Sequence, residues 1–212
     1  MKHLVIPVTP FQQNCSLVWC EASGQAALID PGGETERLLD AAAQRDLQLG
    51  QVLLTHGHLD HVGAAGELAQ RLGIPILGPH RDDAFLLESL PDQCAMFGFP
   101  PVEAFSPDRW LDDGDTVNIG EETLQVIHCP GHTPGHVVFY HAAGRLAFVG
   151  DVLFHDSIGR TDFPRGNAAA LLRSIRERLF PLGDDVTFVP GHGPDSTFGR
   201  ERRYNPYVGE DV

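Results

Sequence analysis

Short apolar runs separated by turns rich in glycine, proline and acidic residues divide the first half of the chain. Apolar residues three and four positions apart predict a helix, whereas an apolar run of about four to eight residues predicts a strand. Helices are predicted at residues 34–45 and 63–73, and the second carries Leu68 and Leu72 on one face and ends at Gly73. Strands are predicted at residues 3–8, 16–21, 26–30, 51–55 and 74–77.

The second half of the chain repeats this order of strands before a helix. It follows a helix predicted near residues 80–90 and a long surface loop predicted at 91–108, where several prolines and Gly98 interrupt the pattern. A helix is predicted at 168–180, and strands are predicted at 116–119, 123–128, 136–141, 146–149 and 186–189. Strands that are apolar on both faces are typical of sheets covered on both sides. The fold class is therefore predicted to be α/β, a four-layer αββα sandwich with two mixed β-sheets packed face to face and helices outside.

The composition predicts one domain over residues 1–212. A chain of 212 residues with 42% hydrophobic content can bury one sizeable core, and no Pro/Ser-rich or single-sign stretch divides it. Its 15 basic and 29 acidic residues give a formal net charge of -14. That charge repels phosphate backbones, so nucleic acid is not expected as a partner.

The N-terminus and the cysteines predict a cytoplasmic protein. The apolar run before Pro7 is too short for a signal peptide or a membrane span, so no membrane partner is expected. The cysteines at positions 15, 20, 94 and 129 show no C-x-x-C spacing, which fits buried, reduced thiols. The chain is expected to be a monomer or a small homo-oligomer.

The segment from Thr55 to His61 concentrates three imidazoles and a carboxylate in an H-x-H-x-D-H pattern directly after a predicted strand. Neutral imidazole nitrogen and carboxylate oxygen are ligands for Zn²⁺, Fe²⁺ and Mn²⁺. An ordinary polar turn rarely gathers three histidines. The cluster therefore predicts a metal site, with Asp60 at or near the N-cap of the helix that follows.

Three more residues of metal-binding type follow other predicted strands. They are His132, Asp151 and His192, and each is flanked by glycine or proline, which lets the backbone turn sharply and approach a ligand closely. Four strand ends are thus expected to converge at one edge of the fold.

On these motifs the chain resembles hydrolases of the metallo-β-lactamase fold, and most closely the short glyoxalase II-type proteins of the YcbL group. The matching segments are 55–61, 129–135, 150–151, 159–166 and 190–193. The resemblance implies two divalent metal ions, zinc with iron or manganese as alternatives. It implies that the first ion is bound by His56, His58 and His132, the second by Asp60, His61 and His192, and that Asp151 bridges them.

The resemblance also implies the reaction. A metal-bridging hydroxide, oriented by Asp60, would attack a glutathione thioester such as S-D-lactoylglutathione and release glutathione and a 2-hydroxy acid. Asp60 and Asp151 are the expected catalytic residues. Full-length glyoxalase II holds glutathione partly through a lysine and a tyrosine, and Arg160 and Asp162 stand at those positions here.

Two assignments for substrate binding stay open on the sequence. Arg160 either binds a carboxylate of the substrate or forms an internal ion pair with Asp162. The basic run of Arg200, Arg202 and Arg203 either receives an anionic substrate or, as favoured here, forms a solvated helix face.

Two other functions compete with the hydrolase. Persulfide dioxygenases of the same fold use a single iron, held by the equivalents of His56, His132 and Asp151. A binding or regulatory protein on this fold is the third hypothesis, and the complete set of seven ligands argues against it. RNA-processing relatives share H-x-H-x-D-H, but this acidic chain lacks their basic surface.

The remaining candidates receive structural roles. Asp30 is expected either to hold the 56–61 loop by hydrogen bonds or to form a plain turn, and Asp83 is expected on the surface. Ordinary surface or strand-edge positions are expected for His3, His80 and His141. His128, His136 and His155 lie beside the motifs, and for them a packing role is favoured over a role in supporting the metal ligands.

Overall fold

The computed structural model describes residues 1–210, and its first sheet contains the N-terminal strands in sequence order. Neighbouring strands are antiparallel from β1 to β3 and parallel from β3 to β5, so the sheet is mixed. The strands are β1 (Lys2–Val8), β2 (Gln13–Trp19), β3 (Gln25–Ile29), β4 (Gln48–Leu53) and β5 (Ile76–Leu77).

The second sheet contains six strands in the order β13-β12-β9-β8-β7-β6. It is also mixed, because β9 and β12 are parallel while the other neighbours are antiparallel. Its strands are β6 (Thr116–Ile119), β7 (Glu122–His128), β8 (Val137–His141), β9 (Leu146–Gly150), β12 (Thr187–Pro190) and β13 (Ser196–Thr197). A short separate hairpin of β10 (Leu153–Phe154) and β11 (Ser157–Ile158) follows β9.

Helices cover the outer face of each sheet. Those of the first half are α1 (Thr35–Ala43), α2 (Leu59–Val62), α3 (Ala65–Leu72), α4 (Ala84–Glu88) and α5 (Leu90–Phe97). Those of the second half are α6 (Ala168–Arg173), continued by a π-helical turn (Ser174–Leu179) and a 3₁₀ turn (Phe180–Leu182), and α7 (Phe198–Tyr204). Asn167 caps α6, because its side chain accepts a hydrogen bond from the backbone N–H of Ala170 at 2.9 Å.

Three apolar clusters separate the four layers. Val18 and Leu53 of the first sheet pack with Phe139 and Phe148 of the second, which fills the space between the sheets. The helices of the first half pack on the first sheet through residues such as Leu38. Those of the second half pack on the second sheet through residues such as Leu171 and Phe198. The predicted αββα sandwich is confirmed.

Single-domain organisation over 1–212 stays a prediction, with residues 211–212 outside the described part. Within residues 1–210, no helix has the length and apolarity required to cross a lipid bilayer. The four cysteines are buried free thiols, as expected.

Two predicted segments differ from the structure. Part of the loop predicted at 91–108 is α5, because Pro91 lies in the first helical turn, where its missing N–H costs nothing, and Leu90 and Cys94 are buried. Asp60 does not cap the helix that ends at Gly73. It lies in the first turn of the separate short helix α2.

Candidate metal centre

The seven predicted ligands lie together where four segments leave the sheets. The segment after β4 carries His56 and His58 and continues into α2, which carries Asp60 and His61. The β7–β8 loop carries His132, Asp151 follows β9, and His192 follows β12. Strands from both sheets therefore supply residues to one place.

Three imidazoles form a compact group, called the first group below: His56, His58 and His132. The Nδ1 atom of His58 lies 3.0 Å from Nε2 of His56 and 3.0 Å from Nε2 of His132. These atoms satisfy the spacing expected of ligands to one ion. An imidazole nitrogen without a proton is an acceptor and a metal ligand, so three nitrogens that converge in this way form a set that one cation fits.

A second group combines two imidazoles with a carboxylate: Asp60, His61 and His192. Asp60 Oδ2 lies 3.3 Å from His192 Nε2 and 3.9 Å from His61 Nε2. These three residues also have the spacing of ligands to one ion.

Asp151 lies between the two groups. Its Oδ2 atom is 3.6 Å from Nε2 of His132 in the first group and 3.8 Å from Nε2 of His192 in the second. Its Oδ1 atom is 3.4 Å from His61 Nε2. One carboxylate thus faces both groups, as a bridging ligand must.

The polar atoms at the centre fit two divalent cations. Among the described residues, His61 Nε2 and Asp151 Oδ1 are buried and lack a hydrogen-bond partner, although buried polar atoms are normally paired. A Cβ at Gly191 would overlap Asp151 Oδ1 and His61 Cε1, so only glycine leaves this space open. The donors are nitrogen and oxygen without sulfur, a set that suits Zn²⁺, Fe²⁺ and Mn²⁺.

Hydrogen bonds on the far side of the rings select which nitrogen each histidine presents. Nδ1 of His132 lies 2.7 Å from the carbonyl oxygen of Arg160, and Nδ1 of His192 lies 3.2 Å from that of Phe11. A carbonyl can only accept, so both rings must be protonated on Nδ1 and keep a free lone pair on Nε2. That lone pair faces the centre.

Asp30 orients the histidines of the 56–61 loop in the same way, through hydrogen bonds. Its carboxylate accepts hydrogen bonds from the Thr55 backbone N–H at 2.7 Å and the Thr55 hydroxyl at 2.6 Å. Its Oδ2 also lies 2.9 Å from His61 Nδ1, and the Thr55 hydroxyl lies 3.0 Å from His56 Nδ1. The expectation that Asp30 holds this loop is confirmed, and both rings turn Nε2 toward the centre.

The electrostatics differ between the groups. Burial, together with the neighbouring His132, lowers the pKa of His58 to about 3. Burial also lowers the pKa values of His56 and His132, so all three rings are neutral at pH 7. Burial opposes a charge on His61 as well, but the Asp151 and Asp60 carboxylates outweigh it and raise the pKa of His61. The second group thus attracts positive charge.

Asp83 is not a surface residue, and that prediction is wrong. Its side chain is fully buried and accepts hydrogen bonds from the N–H of Gly57 at 3.0 Å, the hydroxyl of Thr133 at 2.8 Å and the N–H of Gly135 at 2.6 Å. It therefore ties the segment between His56 and His58 to the loop that carries His132. Burial raises the pKa of this carboxyl to about 6.

Two other histidines also differ from the role that the sequence favoured for them. His136 does more than pack, because its Nε2 accepts a hydrogen bond from the backbone N–H of Asp151 at 3.0 Å and its ring stacks on His56 at 4.7 Å. His141 is buried rather than exposed, with Nε2 2.8 Å from Glu122 Oε2. Both contacts join residues distant in sequence, so local patterns gave no signal for them.

A cavity of about 600 Å³ opens in front of the two groups. Arg160 lines it and also forms a two-bond ion pair with Asp162, at 3.0 and 2.8 Å, so both functions considered for this arginine are compatible. The basic run does not line the cavity. Arg200 pairs with Asp156, and Arg202 and Arg203 pair with Asp184, as on a solvated helix face.

Known proteins resemble this chain over nearly its whole length. A family profile described as the metallo-beta-lactamase superfamily matches residues 8–192. Hydroxyacylglutathione hydrolase GloC of Haemophilus influenzae is 51% identical over 209 residues, covering 98% of this chain and 98% of that protein.

Two solved structures share the fold closely. TTHA1623 in a di-iron-bound form is 38% identical, with a TM-score of 0.88 over 97% of this chain and 100% of that one. The BLEG-1 B3 metallo-beta-lactamase is 34% identical, with a TM-score of 0.89 over 98% of this chain and 99% of that one.

Proposed function

The chain belongs to the metallo-beta-lactamase superfamily, and from that premise we propose that it is a metal-dependent thioesterase of the glyoxalase II type. Its proposed reaction is the hydrolysis of a glutathione thioester, such as S-D-lactoylglutathione, to glutathione and a 2-hydroxy acid. The similarity to hydroxyacylglutathione hydrolase GloC supports the reaction class. The observation that carries the proposal is that both ligand groups are complete and share Asp151.

In this proposal, His56, His58 and His132 would hold one divalent ion, Asp60, His61 and His192 would hold a second, and Asp151 would contact both. When bound, two such ions supply Lewis acidity and a hydrolytic nucleophile at neutral pH. Zinc is the expected metal, and the similarity to a protein that binds two irons keeps iron as an alternative.

The protein residues then position the reactants. Asp60 lines the cavity and orients the attacking water by accepting a hydrogen bond from it. The water oxygen forms a bond to the thioester carbonyl carbon and gives up its protons to solvent. The carbon–sulfur bond then breaks, which leaves a carboxylate, and the thiol leaves as a thiolate that takes a proton from solvent. Phe163 packs beside His58 and His132, at ring-centroid distances of 4.8 and 5.6 Å, and limits the access of bulk water to the first group.

The single-iron dioxygenase has less support. It requires only His56, His132 and Asp151 as ligands. His58, whose Nδ1 lies close to the other two imidazoles of the first group, and all residues of the second group would then have no function in metal binding. A purely binding or regulatory protein needs neither group.

One preparation tests all three hypotheses. We would measure metal per chain, S-D-lactoylglutathione hydrolysis and glutathione-persulfide-dependent oxygen uptake. Two ions per chain with hydrolysis support the proposal, whereas one iron with oxygen uptake supports the dioxygenase. Bound metal without either activity indicates a binding protein. A β-lactam belongs in the same assay because of the similarity to BLEG-1.

A cytoplasmic location, and a monomeric or small homo-oligomeric state, remain part of the proposal as predictions from the sequence.

A further inference from the structure

The cavity in front of the metal centre has an aromatic side, which we call the aromatic wall and define by Phe11 and Phe97. Both rings line the cavity, and each is 46% exposed. The two rings meet edge to face at 5.9 Å, so together they form one continuous apolar surface. Phenylalanine exposed to this degree beside a reactive centre is a surface that a ligand would cover.

The aromatic wall lies on the side of the second group. The carbonyl oxygen of Phe11 lies 3.2 Å from Nδ1 of His192, which fixes the distance between this backbone and the metal residues. Phe163 also lines the cavity and lies on the side of the first group, where it packs on His58 and His132. The two sides therefore flank the place where a thioester carbonyl would react.

The one arginine of the cavity lies on the side of Phe163 and the first group. Arg160 lies over the ring of Phe163 at 4.7 Å and is the only lysine or arginine among the described residues that line the cavity. Near the aromatic wall, the polar side chain of Gln93 is already used, because its oxygen accepts from the N–H of Leu59 and its amide donates to the carbonyl of Leu86. The side of the cavity with Arg160 therefore favours an anionic group of a ligand, and the aromatic wall favours an apolar group.

We propose that the aromatic wall binds the acyl group of the substrate, and that the enzyme prefers thioesters whose acyl group is aromatic or bulky and apolar. This inference rests on the proposed thioesterase function, because it places the anionic glutathione end toward Arg160 and leaves the acyl end toward Phe11 and Phe97. A phenyl ring on the wall gains both apolar burial and edge-to-face contact. The methyl group of a lactoyl chain gains little of either.

The test compares two substrates that differ only in this group. S-D-mandeloylglutathione carries a phenyl ring where S-D-lactoylglutathione carries a methyl group. We expect kcat/KM to be about tenfold or more higher for the mandeloyl substrate. The double substitution Phe11→Ala with Phe97→Ala should remove that preference, so that kcat/KM falls about tenfold more for the mandeloyl substrate than for the lactoyl substrate. Met96→Ala is the matched control, because Met96 is adjacent to Phe97, 76% exposed and outside the cavity lining.

Binding of thioethers separates a failure of this inference from a failure of the proposed function. S-benzylglutathione and S-methylglutathione cannot be hydrolysed, so their dissociation constants report the cavity alone. Tighter binding of the benzyl compound, lost in the double variant and kept in Met96→Ala, supports the aromatic wall even if neither thioester is hydrolysed. Equal binding of both thioethers, or equal losses for both substrates in the double variant, overturns the inference while hydrolysis of S-D-lactoylglutathione stands.

Discussion

The two ligand groups flank the same carboxylate but differ in burial and in charge. The first group is all nitrogen and nearly dry, and burial keeps its rings neutral. The second contains a carboxylate and is wetter, with the His192 side chain 30% exposed and the Asp60 side chain 16% exposed. The first group is therefore organised by desolvation, whereas the second is organised by charge.

The supports of the two groups differ in the same way. Asp83 holds the first group indirectly, through Gly57, Thr133 and Gly135 on two separate loops. Asp30 contacts a ring of the second group directly, at 2.9 Å from His61 Nδ1. A change at one support should therefore weaken one group more than the other, which makes the groups separable by experiment.

The largest effect is expected at the residue that the groups share. Asp151→Ala removes the carboxylate that faces both, so we expect loss of both ions and a fall in kcat of more than about a thousandfold. Metal analysis and S-D-lactoylglutathione hydrolysis measure this. Asp40→Ala, at an exposed position of α1, is the control and should behave as wild type. Retained hydrolysis in Asp151→Ala would falsify the shared centre.

The second group alone is removed by Asp60→Ala. We expect this variant to keep about one ion per chain in the first group and to lose hydrolysis by about a hundredfold or more, because the residue that orients the water is gone. Metal content and both assays, hydrolysis and oxygen uptake, are measured together. Survival of activity with a single bound ion would instead favour the dioxygenase.

The support of the first group is tested by Asp83→Ala. Three buried donors lose their acceptor, so we expect metal affinity of the first group to fall about 10–100-fold and the melting temperature to drop. Competition with a chelator, read out in the Asp60→Ala background, isolates the first group. Asp82→Ala, at the exposed neighbouring position, is the matched control. An unchanged chelator midpoint in Asp83→Ala would contradict the support role.

The smallest expected effect is the decrease in the stability of the folded protein as the pH is lowered. The pKa of His58 is about 3 in the folded protein and about 6.5 in an unfolded chain, so between these values the unfolded chain binds more protons. Stability therefore falls as pH decreases from about 6.5. Asp83 has the opposite effect on stability, because its pKa is about 6 in the folded protein and about 4 in an unfolded chain. Between these values the folded protein binds more protons, so Asp83 offsets part of the loss of stability.

Metal binding strengthens this pH dependence, because the ligand imidazoles must be neutral. We expect bound metal and melting temperature to fall together below about pH 6, and titration of both from neutral pH downward measures this. A melting temperature that stays constant while metal is released would show that the centre is not coupled to folding.

The candidate ligands and the residues that support them were not equally predictable from the sequence. The candidate ligands could be recognised because their residue types, their spacing in H-x-H-x-D-H and the glycines at strand ends are local features. Asp83 was misjudged because two of its three partners, Thr133 and Gly135, lie 50 and 52 residues away in the sequence.

The same distinction holds for the fold. The strands and the order of layers followed from apolar periodicity, whereas α5 was missed because Pro91 and the prolines after it suggested a loop. A proline in the first helical turn is compatible with a helix, and only the burial of Leu90 and Cys94 against the rest of the protein decides between the two.

The central claim is that hydrolysis requires both ligand groups to be filled. Its most direct test is a titration of metal-free protein with Zn²⁺, in which bound metal and S-D-lactoylglutathione hydrolysis are measured on the same samples. We predict that activity rises until two ions are bound per chain, and that Asp60→Ala binds one ion and stays inactive. Full activity of the wild-type chain at one ion per chain would contradict the claim.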